Sequence, residues 1–320
     1  MIWVIGAKGM LGTEVCRQLS EKKYSFVGTG HEIDITDYNV MEKFIQKTET
    51  QNYLAAHKSS EKDPEKGKIK WILNCSAYTD VENAENEPET ADNVNNKGVL
   101  NIARIARSHG AKLIHISTDY VFNGSQNSPI PENAKKNPIN TYGLTKSLGE
   151  DQIVSSMTQY YIIRTSWLYG YSGKNFVRTI INQIKSNDEI KVTGDQTGSP
   201  TFCGDLADVI IQIIEKTYKA SGFFGKNSTP AFGIYNYSNK GQTNWFDFAK
   251  KIQFYAGKYG KIENECNIVS CTTSECGMKA RRPMYSVLDK TKIEKELKIH
   301  IPEWQQSLES FIKNKKFNEL

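Results

Sequence analysis

In the stretch "NTYGLTKSLGE" (140–150), Tyr142 and Lys146 stand four residues apart, which on a helix is one turn of the same face. A free tyrosine titrates near pH ~10, too high to exchange protons efficiently at neutrality. A lysine ammonium beside the phenol favours the phenolate and draws the group toward a working range. Upstream, "KLIHISTDYVFNG" (112–124) brings Ser117, Thr118 and Asp119 together where an apolar run ends. Such residues cap turns, and strand ends in open α/β sheets are also where ligands sit. A Thr118 hydroxyl at that place is suited to donate to the carbonyl oxygen that Tyr142 protonates. Thr118, Tyr142 and Lys146 are therefore the candidate catalytic set.

A second cluster carries no charge. "VIGAKGMLG" (4–12) sets Gly6, Gly9 and Gly12 three apart, directly after a strand-like run and at the opening of a helical pattern. Glycines there permit a tight turn and let backbone amides approach a pyrophosphate, which the helix N-terminus attracts. The next strand of a dinucleotide unit ordinarily ends on an acid that binds the ribose 2′-hydroxyl. In "VGTGHEIDITD" (27–37) that point is held by Gly28, Thr29, Gly30 and His31, with Glu32 and Asp34 later. No acid at the strand end repels a 2′-phosphate, and His31 stands near it, so NADPH is tolerated as well as NADH.

The elements that must position these residues are legible as short apolar runs: "WVI" (3–5), "SFVG" (25–28), "WILNCS" (71–76), "KLIHIS" (112–117) and "YYIIRTS" (160–166). Between them, apolar residues recur at helical spacing over 11–19, 40–45, 94–106 and 142–153. Continuously apolar strands alternating with helices predict a parallel sheet covered on both faces. A helix over 206–214 and a strand at "GIYNYS" (233–238) would complete that sheet, and a terminal amphipathic helix is expected over 304–312. The expected architecture is α/β: a Rossmann-type doubly wound parallel sheet (1–164 plus about 204–240) with a smaller substrate-binding lobe (about 165–203 plus 241–320). Eight of the thirteen residues from Lys58 to Lys70 are charged, so 46–70 reads as a solvated surface insertion without an assigned role.

Composition narrows the partners. Of 320 residues, 38% are hydrophobic and 24% charged, the balance of an ordinary globular chain. The net charge of +5 is spread out, with no basic run interleaved with aromatics, so nucleic acid is excluded as the main partner, while a phosphorylated substrate suits a mildly positive cleft. No run approaches ~18 apolar residues, and the first apolar run lacks the pattern of a signal peptide, so a cytoplasmic location without membrane attachment is expected. Cys16, Cys75 and Cys203 read as buried thiols. Cys266, Cys271 and Cys276 recur at a spacing that matches no common zinc site, and no metal site is expected. Trp3, Trp71, Trp245 and Trp304 read as packing residues, and His109, His115 and His300 receive no role.

The combination of "GAKGMLG" (6–12), "DITD" (34–37), "NCSAYTDVENAE" (74–85), "STDYVFNG" (117–124), "YGLTK" (142–146), "RTSWLYG" (164–170), "NFVRT" (175–179), "DQTGSPT" (195–201) and "RRP" (281–283) resembles the extended short-chain dehydrogenase/reductase family, and within it the dTDP-4-dehydrorhamnose reductase group. The resemblance implies NADPH- or NADH-dependent reduction of the C4 ketone of dTDP-6-deoxy-L-lyxo-4-hexulose to dTDP-L-rhamnose, a step of surface-polysaccharide biosynthesis. It implies that Thr118, Tyr142 and Lys146 are catalytic. Gly6, Gly9, Met10, Leu11 and Gly12 would cradle the pyrophosphate, Asp34 and Ile35 would flank the adenine, and Ser76, Ala77, Tyr78 and Asn95 would lie along the cofactor with Tyr142 and Lys146. Asp119, Trp167 and Arg281 would meet the sugar nucleotide. Cys75 and Ser76 stand where the group usually has alanines. The sequence leaves open a homodimer and a dependence on Mg2+. Related sugar dehydratases need a glutamate where this chain has Tyr120, and epimerases or a reductase for another 4-keto sugar share the scaffold. A non-catalytic NADP-binding regulatory subunit is a further alternative, against which the intact Thr118, Tyr142, Lys146 and Trp167 count.

Overall fold

The computed structural model describes residues 1–56, 67–220, 230–275 and 277–319; Cys276 and the charged residues 57–66 lie outside them. The first half alternates strand and helix: β1 (Ile2–Ile5), α1 (Met10–Glu21), β2 (Phe26–Thr29), α2 (Tyr38–Ala56), β3 (Trp71–Asn74), α3 (Val81–Ala84), α4 (Pro88–Asp92), α5 (Gly98–Ser108), β4 (Lys112–Thr118), α6 (Thr141–Ser156) and β5 (Tyr160–Thr165). There follow β6 (Leu168–Tyr169), α7 (Phe176–Ser186), β7 (Glu189–Thr193), β8 (Thr197–Gly198), β9 (Thr201–Phe202), α8 (Cys203–Ala220), β10 (Gly233–Asn236), β11 (Thr243–Asn244), α9 (Trp245–Lys258), β12 (Asn267–Cys271), α10 (Thr291–Leu297) and α11 (Trp304–Lys313).

Among the described residues the main sheet has the order β2-β1-β3-β4-β5-β10, with every neighbouring pair parallel. Its strands are apolar on both faces because both are covered. Ile2, Val4, Trp71, Leu73, Ile114, Tyr161 and Ile163 point into one core with α1 and α8. The alternating residues Trp3, Ile5, Ile72, Leu113 and Ile162 point into another with α2 and α5. The chain runs outward from β1 to β2 and then crosses to β3 on the other side. That reversal leaves a crevice at the carboxyl ends of β1 and β3, where open α/β sheets take ligands.

A separate core gathers Val177, Ile180, Ile184, Val192, Phe248, Ile252, Trp304, Leu308 and Phe311 from α7, α9, α11 and their neighbours, with β12 paired to β7. Residues 291–301, expected in the smaller lobe, instead place Ile293, Leu297 and Ile301 in the sheet's own core. The expected loop over 46–70 also needs correction. Helix α2 continues through "QKTETQNYLAA" to Ala56, since good helix formers there outweigh the polar character, and Ile69, just before β3, is buried. No helix among the described residues is long and apolar enough to cross a membrane.

Candidate active site

A cavity of about 900 Å3 opens at the crevice, lined by Gly6 and Gly9 of the turn after β1, Met10 and Leu11 at the start of α1, Ser76, Ala77 and Tyr78 after β3, and Thr118 and Asp119 where β4 ends. Asp34, Ile35, Tyr142, Lys146 and Trp167 complete the expected residues on its wall. Gly6 has φ +77, and a Cβ there would stand 2.7 Å from the Ser76 nitrogen, so the turn after β1 lies directly on the segment after β3. Gly12 does not line the cavity. A Cβ on it would meet the Gly6 carbonyl at 2.0 Å, so it lets α1 pack onto the turn. No side chain caps α1 and no acid occupies its first turn. Its amides and dipole are thereby left for an external anion, and a dinucleotide pyrophosphate fits this cradle.

Asn95 is fully buried behind the wall rather than on it. It sits in a π-helical turn, Asn93–Lys97, where its side chain accepts from the Tyr78 nitrogen (2.9 Å) and donates to the Tyr78 carbonyl (3.0 Å). That pairing fixes the strand-like segment after β3. At the end of β2, Glu32 folds back to accept from the Gly30 amide (2.7 Å) and pairs with Lys8 (3.1 Å). The Gly30 amide, with help from Lys8, holds this carboxyl down at about 2. An acid therefore does reach the strand end, by a turn that spacing alone does not reveal, while Lys8 and His31 line the same corner.

At the end of β4 the hydroxyl of Thr118 accepts from the Tyr120 nitrogen (3.2 Å) and donates to Asp119 Oδ1 (3.0 Å). It caps a short 3-10 turn and faces the cavity at once. Burial pushes the Asp119 carboxyl up to about 7, against Ser286 and Thr118. Its Oδ2 is buried without a partner. Burial also raises the Tyr142 phenol, with Thr118 opposing. Lys146 Nζ donates to the Ile116 carbonyl (2.7 Å) and faces His115 Nε2 (3.3 Å). Burial brings the Lys146 ammonium down to about 8, with Glu150 opposing.

Helix α6 is anchored both at its start and further along its length. Asn140 caps it by accepting from the Gly143 amide (2.7 Å) and donates to the Arg281 carbonyl (2.8 Å). Deeper in, Glu150 accepts from Arg164 Nε (2.9 Å) and Nη2 (2.7 Å) and from the Ser117 hydroxyl (2.6 Å). Burial alone would raise Glu150, but Arg164, Lys136 and Ser117 hold it low.

For the arginine expected at the cavity, the structure moves one residue along. Arg281 is exposed and contributes its carbonyl, whereas Arg282 lines the cavity, bonding Tyr120 Oη (3.1 Å) and Glu82 (2.7 Å) with its Nε buried and unpartnered. Trp167 adopts φ +47, a strained value for a bulky residue. Its indole stacks on Trp245 at 3.6 Å, and both line the cavity, so Trp245 is more than a packing residue. Trp3, Trp71 and Trp304 are buried as expected. Cys75 also borders the cavity, its thiol raised by burial to about 12. Among the described residues no cluster of His, Cys, Asp and Glu is placed to hold a metal.

Residues 1–317 match the model of a family described as the RmlD substrate binding domain. The chain is 34% identical to the spore coat polysaccharide biosynthesis protein SpsK of Bacillus subtilis, over 98% of this chain and 97% of that one. It is 32% identical to a dTDP-4-dehydrorhamnose reductase of Aggregatibacter actinomycetemcomitans, over 96% of both chains. Among solved structures it is similar to a dTDP-4-dehydrorhamnose reductase from Bacillus anthracis in complex with NADP (TM-score 0.83, 33% identity, 97% of both chains). A second, from Clostridium acetobutylicum, has TM-score 0.83 and 34% identity, covering 97% of this chain and 98% of that one.

Proposed function

The chain belongs to the RmlD substrate binding domain family, and from that premise we propose that it is an NAD(P)H-dependent reductase of the C4 ketone of dTDP-6-deoxy-L-lyxo-4-hexulose, yielding dTDP-L-rhamnose for polysaccharide assembly. The observation that carries the reading is the convergence of Thr118, Tyr142 and Lys146 on one cavity that also receives the uncapped start of α1. Gly6, Gly9, Met10 and Leu11 would hold the pyrophosphate, Asp34 and Ile35 the adenine end, and Ser76, Ala77 and Tyr78 the length of the dinucleotide, with Gly12 and Asn95 bracing them. When bound, the dihydronicotinamide supplies hydride to the carbonyl carbon. Tyr142 delivers the proton to the carbonyl oxygen, and Thr118 donates to the same oxygen as negative charge develops. Lys146 replenishes the phenol's proton. The orphan Asp119 Oδ2 and Arg282 Nε are the polar atoms that a sugar nucleotide would satisfy, with Trp167 and Trp245 forming an apolar wall. Lys8 and His31 face the ribose corner and suit NADPH, while the nearby Glu32 leaves NADH acceptable.

The test mixes the purified chain with NADPH and the enzymatically generated keto-sugar nucleotide and follows loss of nicotinamide absorbance. Turnover should fall by at least roughly a hundredfold in Tyr142→Phe, the scale of a lost general acid, with cofactor binding retained. Tight NADPH binding without any turnover by the unaltered chain would overturn the reading and favour a regulatory subunit or a different keto sugar.

A further inference from the structure

His115 is fully buried in the middle of the sheet, between Asn74 of β3 and Lys146 of α6, and the reaction as derived gives it no part. The hydrogen bonds around it leave one arrangement. The Ser76 backbone amide can only donate, and it reaches Asn74 Oδ1 at 3.0 Å, joined by the Ser76 hydroxyl at 2.6 Å. The bonded Asn74 atom is therefore its oxygen, and its nitrogen is the atom that faces His115 Nδ1 at 2.9 Å. An amide nitrogen donates, so Nδ1 accepts and bears no proton. Burial, with Lys146 nearby, keeps the ring neutral. The single ring proton must then sit on Nε2, pointing at Lys146 Nζ.

An N–H aimed at an ammonium sets donor against donor; aimed at a neutral amine it finds a lone pair. We propose that His115, locked by Asn74 as its Nε2–H tautomer, is a positioning residue that makes the Lys146 ammonium a stronger acid, because the ring N–H meets the lone pair of the amine left once the ammonium has given up its proton. The inference rests on the reductase reading for its purpose but not for its geometry. The other groups facing Lys146 do not supply this effect. Glu150, on the same helix, favours the ammonium, although Arg164 of β5 and Lys136 largely occupy it. The Ile116 carbonyl also accepts from Nζ. Tyr142 lies one turn earlier, and Asp119 stands at the strand end on the same wall.

The test is nitrogen-15 NMR of the cofactor-free protein, with His115 assigned by substitution. Nδ1 should resonate as an unprotonated nitrogen and Nε2 as a protonated one, unchanged through neutral pH. In parallel, the Lys146 side chain is titrated through its labelled carbons. His115→Asn keeps an acceptor for Asn74 but removes the Nε2–H, and His115→Gln can turn an oxygen toward Nζ. Both should move the Lys146 midpoint upward by about one pH unit, the scale of one buried dipole at hydrogen-bond distance, and the basic limb of turnover should follow. A His115 ring protonated on Nδ1, or an unmoved lysine midpoint in both variants, overturns the proposal. A protein with no turnover at all but the expected NMR behaviour would sink the reductase reading and leave this inference standing.

Discussion

Glu150 and Asp119 are both buried carboxylates set against α6 and the end of β4, and they are treated in opposite ways. Glu150 receives a bidentate guanidinium, a hydroxyl and a nearby ammonium, and it stays ionised in the interior. Asp119 accepts from the Thr118 hydroxyl on one oxygen and has Ser286 close by, keeps its other oxygen without a hydrogen bond, and is pushed up to about 7. The first is a group whose needs the protein meets by itself. The second is a group left short, at the wall of the cavity, where an incoming polar ligand would supply what is missing.

The harshest way to break this contrast is to strip Glu150 of its partner. Arg164→Met should cost about 3–5 kcal/mol in denaturant unfolding, because a buried charge is left alone. Arg164→Met combined with Glu150→Leu should recover much of that loss, and equal damage in the single and double variants would mean that the pair holds the fold by more than charge. The next effect runs the other way. Asp119→Asn should raise stability near neutral pH by roughly 1–3 kcal/mol by removing a poorly solvated carboxylate, while reducing kcat/KM for the keto sugar by more than tenfold.

The same substitution sharpens the comparison through pH. An unfolded aspartate loses its proton near ~4, whereas the folded Asp119 keeps it until about 7. Between those values the folded state binds the extra proton, so this group lowers stability as pH rises. The melting advantage of Asp119→Asn should therefore be near nil at pH ~4 and grow toward pH ~7. An advantage independent of pH would show that Asp119 is ionised throughout. The smallest effect belongs to a third carboxylate, the exposed Glu32 with Lys8. Lys8→Ala should leave stability essentially unchanged and raise the KM for NADPH a few-fold more than that for NADH.

Much of the frame was readable because it depends on local pattern. The apolar strands, the glycine turn and the Tyr142–Lys146 pair all lie within short stretches whose periodicity or spacing carries the signal. What escaped depends on register between distant strands and on turns. Asn74 meets His115 only because β3 and β4 pair in that register. Trp245 reaches the cavity by stacking on a tryptophan far upstream, and Glu32 returns to the strand end through a tight turn. Arg281 and Arg282 are chemically equal in sequence, and only the backbone path decides which one faces inward. The continuation of α2 to Ala56 was hidden by the charged residues that follow it, although the residues up to Ala56 favour a helix on their own.

Asn140 joins two parts of the chain that are 141 residues apart, one side-chain atom serving each. Withdrawing the Arg281 carbonyl would leave a cap half used, and fraying the first turn of α6 would release that carbonyl. The two events are therefore coupled, so the segment over the sugar side and the turn bearing Tyr142 should open together as one cooperative unit in native-state hydrogen exchange. On the reductase reading proposed above, any movement of residues 281–283 would loosen the turn that carries Tyr142 at the same moment.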